Sequence, residues 1–229
     1  MSAALRSAFA RDGYVDLTSA LDAALRARVA AEATAVLDAH GVRRDLRIAA
    51  TGLSPRRYRV EPRDAITQSC PAAAAAYCSA DLLAFVAEVA GEPIAPVPYV
   101  PEEIIATRLE RTGDTHGWHW DDYAFALIWI ADAPPAREGG SLEYVAGVPW
   151  CKAEPRVEEI LRAHRAARRD VVPGTVYLLR ADTTLHRVAP LLADGRRDAL
   201  CFSYAATSEL ARTVSHETLD AILGATTSA

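Results

Sequence analysis

The stretch THGWHWDDY, residues 115–123, decides how the sequence is interpreted, because it contains a His-x-Asp pair at His119 and Asp121. A second histidine, His186, stands much further along the chain in the segment LHRVAP. Two imidazoles and one carboxylate can hold a metal ion on one face and leave the opposite face open for other ligands. One such pair is weak evidence in a chain with six histidines, so the neighbouring sequence has to support the site.

The residues that follow the pair favour a buried strand. Residues 123–130, YAFALIWI, are apolar and rich in aromatic and branched side chains. In an extended chain residues i and i+2 point to the same side, so His119 and Asp121 can reach one ion together. A Pro-Gly turn at residues 173–174 leads into another apolar strand shortly before His186. The pattern predicts that His119 and Asp121 lie at the mouth of a strand.

The segment RDALCFSYA, residues 197–205, predicts one more strand with two different faces. Alternation places Arg197, Cys201 and Ser203 on a small or polar face that suits the lining of a cavity, and the bulky residues on the other face. By this parity Arg197 enters the cavity and Arg196 does not. A buried arginine beside a metal needs an anion, and a guanidinium group pairs bidentately with a carboxylate.

Composition excludes several classes of protein. The net charge of -5 argues against a nucleic-acid footprint, which requires a basic face. We expect no membrane partner and no secretion signal, because no apolar stretch is long enough and the N-terminus lacks a basic region followed by an apolar core. The four cysteines form no Cys-x-x-Cys pair, which is compatible with a reducing cytoplasm. The expected partner is a small molecule, and the sequence does not indicate an oligomeric state.

The motifs taken together resemble the Fe(II)/2-oxoglutarate-dependent oxygenases. They occur in that family's order over about residues 99–206: the His-x-Asp pair, the GGSL turn and strand at 139–142, the Pro-Gly strand, the HRV segment and the trailing Arg197. The resemblance implies a mainly β fold with flanking helices, a double-stranded β-helix or jelly roll (cupin-like), whose mouth holds Fe(II). It also implies 2-oxoglutarate as a cosubstrate bound at its far carboxylate by Arg197, and O₂ as the oxidant.

The length of 229 residues predicts a single domain over 1–229. We expect mostly helical support over 1–98, the jelly-roll core over 99–206 and a C-terminal helix or tail over 207–229. FARDGYVDL, residues 9–17, resembles the family's short first strand. Helices are predicted at 19–40, capped by Thr18 or Ser19 and stopped by Gly41, and at 64–77 and 80–90, with a basic loop or strand at 54–60.

Asp121 bears on the type of reaction. In the radical halogenases of this superfamily, glycine or alanine replaces the carboxylate ligand and a position is left for chloride. Here Asp121 fills that position, so the resemblance implies hydroxylation of an unactivated C–H bond rather than chlorination. Desaturation and cyclisation use the same ligands and stay open as alternatives.

The stretch around the pair is also similar to the small enzymes that halogenate or hydroxylate free amino acids without a carrier protein. That resemblance assigns substrate contacts to His116, Asp122 and Glu102, and the substrate carboxylate to Arg56 or Arg57. In the alternative interpretation, His116 and Asp122 only brace the metal ligands through hydrogen bonds.

The last cavity strand bears on the substrate side chain. Enzymes of this group that accept a basic side chain are expected to carry polar residues there, whereas this chain has Cys201 and Ser203, which favours a less polar amino acid. Cys201 can also be only a small buried side chain. Two other hypotheses are the same chemistry on another natural-product intermediate and a metal-binding jelly roll without catalysis.

Overall fold

The computed structural model describes residues 2–224, which contain seven α-helices and twelve strands. The helices are α1 (Ser2–Asp12), α2 (Ala23–His40), α3 (Arg63–Ser69), α4 (Pro71–Tyr77), α5 (Ala80–Ala90), α6 (Val157–Ala163) and α7 (Glu217–Leu223). The strands are β1 (Tyr14–Asp16), β2 (Val42–Arg47), β3 (Pro55–Glu61), β4 (Ile94–Pro96), β5 (Ile104–Leu109), β6 (Thr115–His119), β7 (Phe125–Asp132), β8 (Leu142–Ala146), β9 (Ala167–Arg169), β10 (Val176–Arg180), β11 (Thr184–Val188) and β12 (Arg197–Ala206).

The last eight strands form two antiparallel groups, β10-β7-β12-β5 and β6-β11-β8-β9. Apart from the step from β8 to β9, each connection carries the chain from one group to the other. This alternation is the double-stranded β-helix expected from the sequence. Strand β3 pairs with β2 along one edge. Along its other edge it pairs with β6 near its start and with β5 near its end, so it bridges the two groups.

The main hydrophobic core lies between the β10-β7-β12-β5 group and the N-terminal helices. Leu200, Phe202 and Tyr204 of β12 are fully buried there, together with Val29 and Leu37 of α2. Burial of each such side chain contributes about 1.5–3 kcal/mol. The helices therefore cover the outer face of the sheet, and the other face is left to line a cavity, as strand alternation predicts.

Two predicted helices have different boundaries in the structure. The helix predicted at 19–40 begins only at Ala23, because the Asp22 carboxylate accepts a hydrogen bond from the Leu25 amide at 2.7 Å and caps the helix there. Helix 64–77 is two helices, since Pro71 cannot continue the first and starts the second. The predicted helix at 80–90 is confirmed as α5, which ends at Gly91 in the left-handed conformation.

The N-terminal 98 residues supply more β-structure than expected. Of the segment 9–17 only Tyr14–Asp16 is a strand, because residues 9–12 complete α1 and Gly13, with φ of 63°, ends it. Strands β1 to β4 all lie in this half, and the segment at 54–60 forms most of β3. Residues 2–98 thus contribute strands to the sheet as well as supporting helices. A C-terminal helix or tail is expected over 207–229, and the structure contains α7 there. Residues 225–229 of that range lie outside the described residues.

No single helix within residues 2–224 has the length and apolar character needed to cross a membrane. Only α4 and α5 counted together, with a bend of 52° between them, reach that length and composition.

Candidate active site

Three side chains that could hold one metal ion lie at the mouth of the barrel. His119 is the last residue of β6 and stands directly opposite His186 of β11 in the strand register. Asp121 follows two residues later, with its Oδ1 3.5 Å from Nε2 of His119 and 3.8 Å from Nε2 of His186. One ligand atom from each residue lies within 4.8 Å of the other two. The arrangement presents two imidazoles and one carboxylate on a single face, which is a donor set that suits non-haem Fe(II).

The backbone fixes the orientation of both imidazoles. Nδ1 of His119 lies 2.7 Å from the Gly117 carbonyl, and Nδ1 of His186 lies 2.9 Å from the Thr184 carbonyl. Because a carbonyl only accepts, Nδ1 carries the proton in each ring and Nε2 presents its lone pair to the site. Burial lowers the pKa of His119 well below its usual value and that of His186 to about 4, so both rings are neutral ligands near pH 7.

The carboxylate between the rings is in an environment that favours a cation. Burial, followed by the neighbouring Asp122 charge, raises the pKa of Asp121 to about 7, while Arg56 opposes the shift. A bound metal ion would offset the cost of keeping this carboxylate charged. The residues present therefore fit a divalent iron ion.

Gly117 links His119 to the neighbouring strand β3. A Cβ at this position would lie 2.4 Å from the Pro55 carbonyl oxygen, so only glycine allows β6 to approach the start of β3 this closely. Its carbonyl accepts hydrogen bonds from Nδ1 of His119 and from Nη1 of Arg56 at 2.8 Å. One backbone group thus orients a ligand and a buried arginine.

Arg197 occupies the position that suits an anionic cosubstrate. It is the first residue of β12, its side chain is buried, and Nε donates to the Gly140 carbonyl at 2.8 Å. Among the described residues Nη2 has no hydrogen-bond partner. Burial lowers the pKa of this guanidinium, and the adjacent Tyr177 opposes the shift. A buried guanidinium group with an unused donor can bind a carboxylate. The neighbouring Arg196 is exposed and pairs with Asp38 at 3.2 Å, in agreement with the predicted parity.

Arg56, and not Arg57, points into the cavity. Arg56 is fully buried and donates to Gly117 and, at 3.3 Å, to Thr51 Oγ1; its Nε is without a partner among the described residues. Arg57 points outward to Asp45 at 3.4 Å. The prediction that Arg57 could contact the substrate is therefore wrong, because successive residues of β3 face opposite sides of the sheet.

His116 lies between the metal ligands and β3. Its ring stacks on that of His119 at a centroid distance of 4.0 Å and lies 4.7 Å from the ring of Tyr58, whose hydroxyl is 3.5 Å from Nε2. Burial, followed by the charge of Arg56, lowers the pKa of His116 well below its usual value. The ring is neutral and can donate or accept one hydrogen bond in the cavity.

The other end of the cavity is acidic. Glu102 and Asp122 are both buried, and one atom of each lies within 4.8 Å of the other and of a ring nitrogen of His216. Burial, and then the Asp122 charge, raises the pKa of Glu102 well above its usual value. Tyr99 stacks on the His216 ring at 3.8 Å, and the Tyr123 hydroxyl lies 3.0 Å from its Nε2. This acidic end is suited to a positively charged group.

Cys201 and Ser203 line the same cavity, with Sγ and Oγ 4.0 Å apart. The rest of the lining is largely apolar, and sequence reasoning missed most of it. The missed lining residues are Tyr58, Val60, Ile105, Thr107, Trp120, Ile128, Leu142, Trp150, Tyr177, Val188, Thr218, Leu219 and Ile222. His216 and Lys152, at the acidic end, were also missed. The sequence contained a signal for two of these residues, because Tyr58 shares the parity of Arg56 and Ile128 lies on a predicted strand. It contained no signal that α7 or the loop after β8 would line the cavity.

Comparisons with known proteins agree with this architecture. The family model described as HalD (Halogenase D) matches residues 1–224. Among solved structures, the chain is similar to the non-haem α-ketoglutarate-dependent epimerase SnoN from nogalamycin biosynthesis, with a TM-score of 0.69, 19% identity and coverage of 89% of this chain and 80% of that one. It is also similar to AviO1 from Streptomyces viridochromogenes Tue57, with a TM-score of 0.67, 18% identity and coverage of 91% of this chain and 96% of that one. A Trichoplax adhaerens prolyl hydroxylase, solved with a hypoxia inducible factor peptide, has a TM-score of 0.67 and 13% identity, with coverage of 93% of each chain. No curated protein matches the chain. These likenesses confirm the predicted jelly roll.

Proposed function

The chain belongs to the HalD (Halogenase D) family, and from this premise we propose that it is an Fe(II)- and 2-oxoglutarate-dependent oxygenase that hydroxylates an unactivated C–H bond of a free amino acid. The single observation that carries the proposal is the set of His119, Asp121 and His186 around one point, with the buried Arg197 on the same cavity. A metal-binding protein without catalysis would need no second anion site.

The carboxylate separates hydroxylation from halogenation within this family. A radical halogenase needs a metal position for chloride, and here Asp121 lies 3.5 and 3.8 Å from the two ligand nitrogens. Asp121 therefore takes the third position, and transfer of oxygen is the outcome that the site favours.

Each group of residues has a defined task in this reaction. The two histidines and Asp121 would hold the iron, which supplies the activation of O₂ when it is bound: substrate, 2-oxoglutarate and O₂ give hydroxylated product, succinate and CO₂. Arg197 binds the far carboxylate of 2-oxoglutarate and so fixes its orientation. The apolar lining from β5, β7 and α7 excludes water from the substrate.

The two ends of the cavity are complementary to a zwitterion. The Nε of Arg56 has no partner among the described residues and can donate to the substrate carboxylate, with the neutral His116 beside it. Glu102, whose Oε2 has no partner among the described residues, offers a contact to the ammonium group next to Asp122. Bracing of the metal ligands by His116 and Asp122 is the competing interpretation, and it is tested below. All four cysteines are free thiols, which suits a cytoplasmic enzyme.

The test is a screen of the purified protein with Fe(II), 2-oxoglutarate and the common amino acids. We expect succinate release that depends on one amino acid or a few, and a product one oxygen atom heavier than that substrate. The matched control is Asp121→Gly in chloride buffer, which should lose hydroxylation. Succinate release without dependence on any amino acid, or a chlorinated product from the unaltered enzyme, would contradict the proposal.

A second candidate is the same chemistry on a natural-product intermediate. SnoN and the carbocyclase SnoK, which the chain resembles in fold, come from nogalamycin biosynthesis. The apolar lining of the cavity favours this candidate over a strongly polar substrate. Turnover of a polyketide or peptide intermediate, with no response to free amino acids, would select it.

A further inference from the structure

One of the two carboxylates at the acidic end already has an ammonium partner from the chain itself. Nζ of Lys152 lies 2.5 Å from Oδ1 of Asp122. The Asp122 side chain is only 4% exposed, whereas that of Lys152 is 26% exposed, so the ion pair lies where the cavity meets the surface. A pair of this kind neutralises a carboxylate that would otherwise be free to bind a cation.

Lys152 is held in this position from three sides. Its Nζ lies 4.4 Å from the centroid of the Trp150 ring, which itself lines the cavity and donates from Nε1 to the Ala50 carbonyl at 2.8 Å. Nζ also donates to the Ser215 carbonyl, just before α7. The ammonium group therefore bridges the loop after β8, the connection after β6 and the segment before α7, and its place beside Asp122 is well defined.

Glu102 is the carboxylate that remains. It is buried in the short turn before β5, and its Oε2 has no hydrogen-bond partner among the described residues. A single ammonium group at this end would pair with Glu102. A second ammonium group could not pair with Asp122, because Lys152 already does. It would also lie close to the like charge of Lys152, which is unfavourable in a buried site.

We propose that Lys152 sets the charge specificity of the cavity by occupying Asp122, so that the acidic end accepts one ammonium group and rejects a second. The substrate class is then an amino acid with an uncharged side chain. This inference rests on the proposed function, and it goes beyond it because it assigns the discrimination to a residue outside the metal centre. The modest polarity of Cys201 and Ser203 on the cavity face of β12 is in keeping with the same class.

The test compares two amino acids that have the same number of heavy atoms. L-Ornithine carries an ammonium group where L-norleucine carries its terminal methyl group. Their dissociation constants are measured without O₂ on the enzyme loaded with Fe(II) and 2-oxoglutarate, for the unaltered protein, Lys152→Met and Lys152→Arg. Methionine keeps most of the length and the apolar character of the lysine stem without its charge, and arginine keeps the charge. The melting temperature of each variant confirms folding.

We expect norleucine to bind the unaltered protein at least roughly tenfold more tightly than ornithine. Lys152→Met should reduce this ratio of dissociation constants by roughly tenfold, because ornithine binds the variant more tightly. Lys152→Arg should keep the original ratio. Ornithine binding as tightly as norleucine to the unaltered protein, or an unchanged ratio in Lys152→Met, would overturn the inference.

A different result would point to the proposed function instead. If neither amino acid binds to any of the three proteins, the amino-acid hypothesis fails. The role of Lys152 is then decided with n-butylammonium and 1-butanol, which probe the acidic end without an amino-acid backbone. If Lys152→Met binds n-butylammonium more tightly than 1-butanol and the unaltered protein does not, the inference is supported. If Lys152→Met shows no such preference, the inference is overturned.

Discussion

Replacing Arg197 by methionine should abolish tight binding of 2-oxoglutarate while leaving the protein folded. The guanidinium is 1% exposed, and its Nε donates to the Gly140 carbonyl at 2.8 Å. Methionine fills most of the same volume, so the change removes the charge without opening a large cavity. Loss of one hydrogen bond costs about 0.5–1.5 kcal/mol, and removal of a desolvated charge offsets part of it. The free energy of unfolding without cosubstrate should therefore change little.

Binding of the cosubstrate should change much more. A carboxylate that loses a buried charged partner loses about 2–5 kcal/mol of binding free energy. At 1.4 kcal/mol for each factor of ten, the dissociation constant of 2-oxoglutarate should rise roughly 30-fold to a few thousand-fold. A cosubstrate concentration 100 times the original dissociation constant stabilises the unaltered protein by ~2.7 kcal/mol, and the variant by at most ~0.9 kcal/mol.

The assay is chemical unfolding of the Fe(II)-loaded protein without O₂, with and without 2-oxoglutarate. Arg196→Met is the matched control, because Arg196 is exposed, pairs with Asp38 and should leave the stabilisation intact. Equal stabilisation of the Arg197 variant and the unaltered protein would refute the assignment. Loss of stabilisation in the Arg196 variant alone would show that the other arginine holds the cosubstrate.

Three further predictions concern the metal, the substrate and the fold. Alanine in place of any one of the three proposed metal ligands should abolish Fe(II) binding in equilibrium dialysis while the far-ultraviolet circular dichroism stays unchanged; near-normal turnover in any of the three would show that the ligand set is wrong. In His116→Ala, the charge-transfer absorption of the Fe(II)–2-oxoglutarate complex should persist but no longer respond to substrate. Asp122→Asn leaves the Lys152 ammonium group without its partner and should only weaken that response. A bracing role predicts ~10–100-fold weaker iron binding in both variants, with substrate affinity unchanged. Burial acts to raise the pKa of Asp114, but Arg43 at 2.5 Å and two backbone amides outweigh it and hold the pKa below the ordinary 3.8. Asp114→Asn should therefore cost stability in full above that pH, and the difference in unfolding free energy should shrink as the pH falls towards the lowered pKa; a difference independent of pH from neutral to strongly acid would contradict this.

Strand alternation accounts for most of what the sequence could predict. The period of two residues placed Arg197 inside and Arg196 outside, and the structure has them there. The same reasoning could have chosen Arg56 over Arg57, because Tyr58 and Val60 share the parity of Arg56 and would favour burial. The sequence does not decide whether that segment is a loop or a strand, however, and the alternation applies only to a strand.

Local signals failed where two of them competed. Thr18 and Ser19 are good capping residues, but Asp22 lies nearer to the continuous helical segment and makes the cap. In residues 9–17 the β-forming residues follow Gly13, and the residues before it have no such preference and continue α1. Pro71 was a visible break in the helix predicted at 64–77.

The acidic end of the cavity could not be predicted in full. Lys152 lies in a loop without periodic pattern, and His216 lies just before a short helix. Both reach Asp122 only because the chain folds back over the barrel, and no local preference encodes a contact of that kind. Tertiary packing alone brings these residues together with Glu102.

The insertion of β3 has a consequence for how this molecule can be made or divided. Arg56 and Gly117 are hydrogen-bonded to each other although they are 61 residues apart in the chain, and one edge of β3 pairs with two strands, β5 and β6, that are synthesised after it. β2 can pair with one edge of β3 as soon as both strands have emerged, but the other edge must wait for β5 and β6. Pairing of that second edge is therefore a late and slow event during synthesis. A shortened gene that begins at the jelly-roll core would encode two strand groups without their joining strand, and two newly exposed sheet edges would invite aggregation.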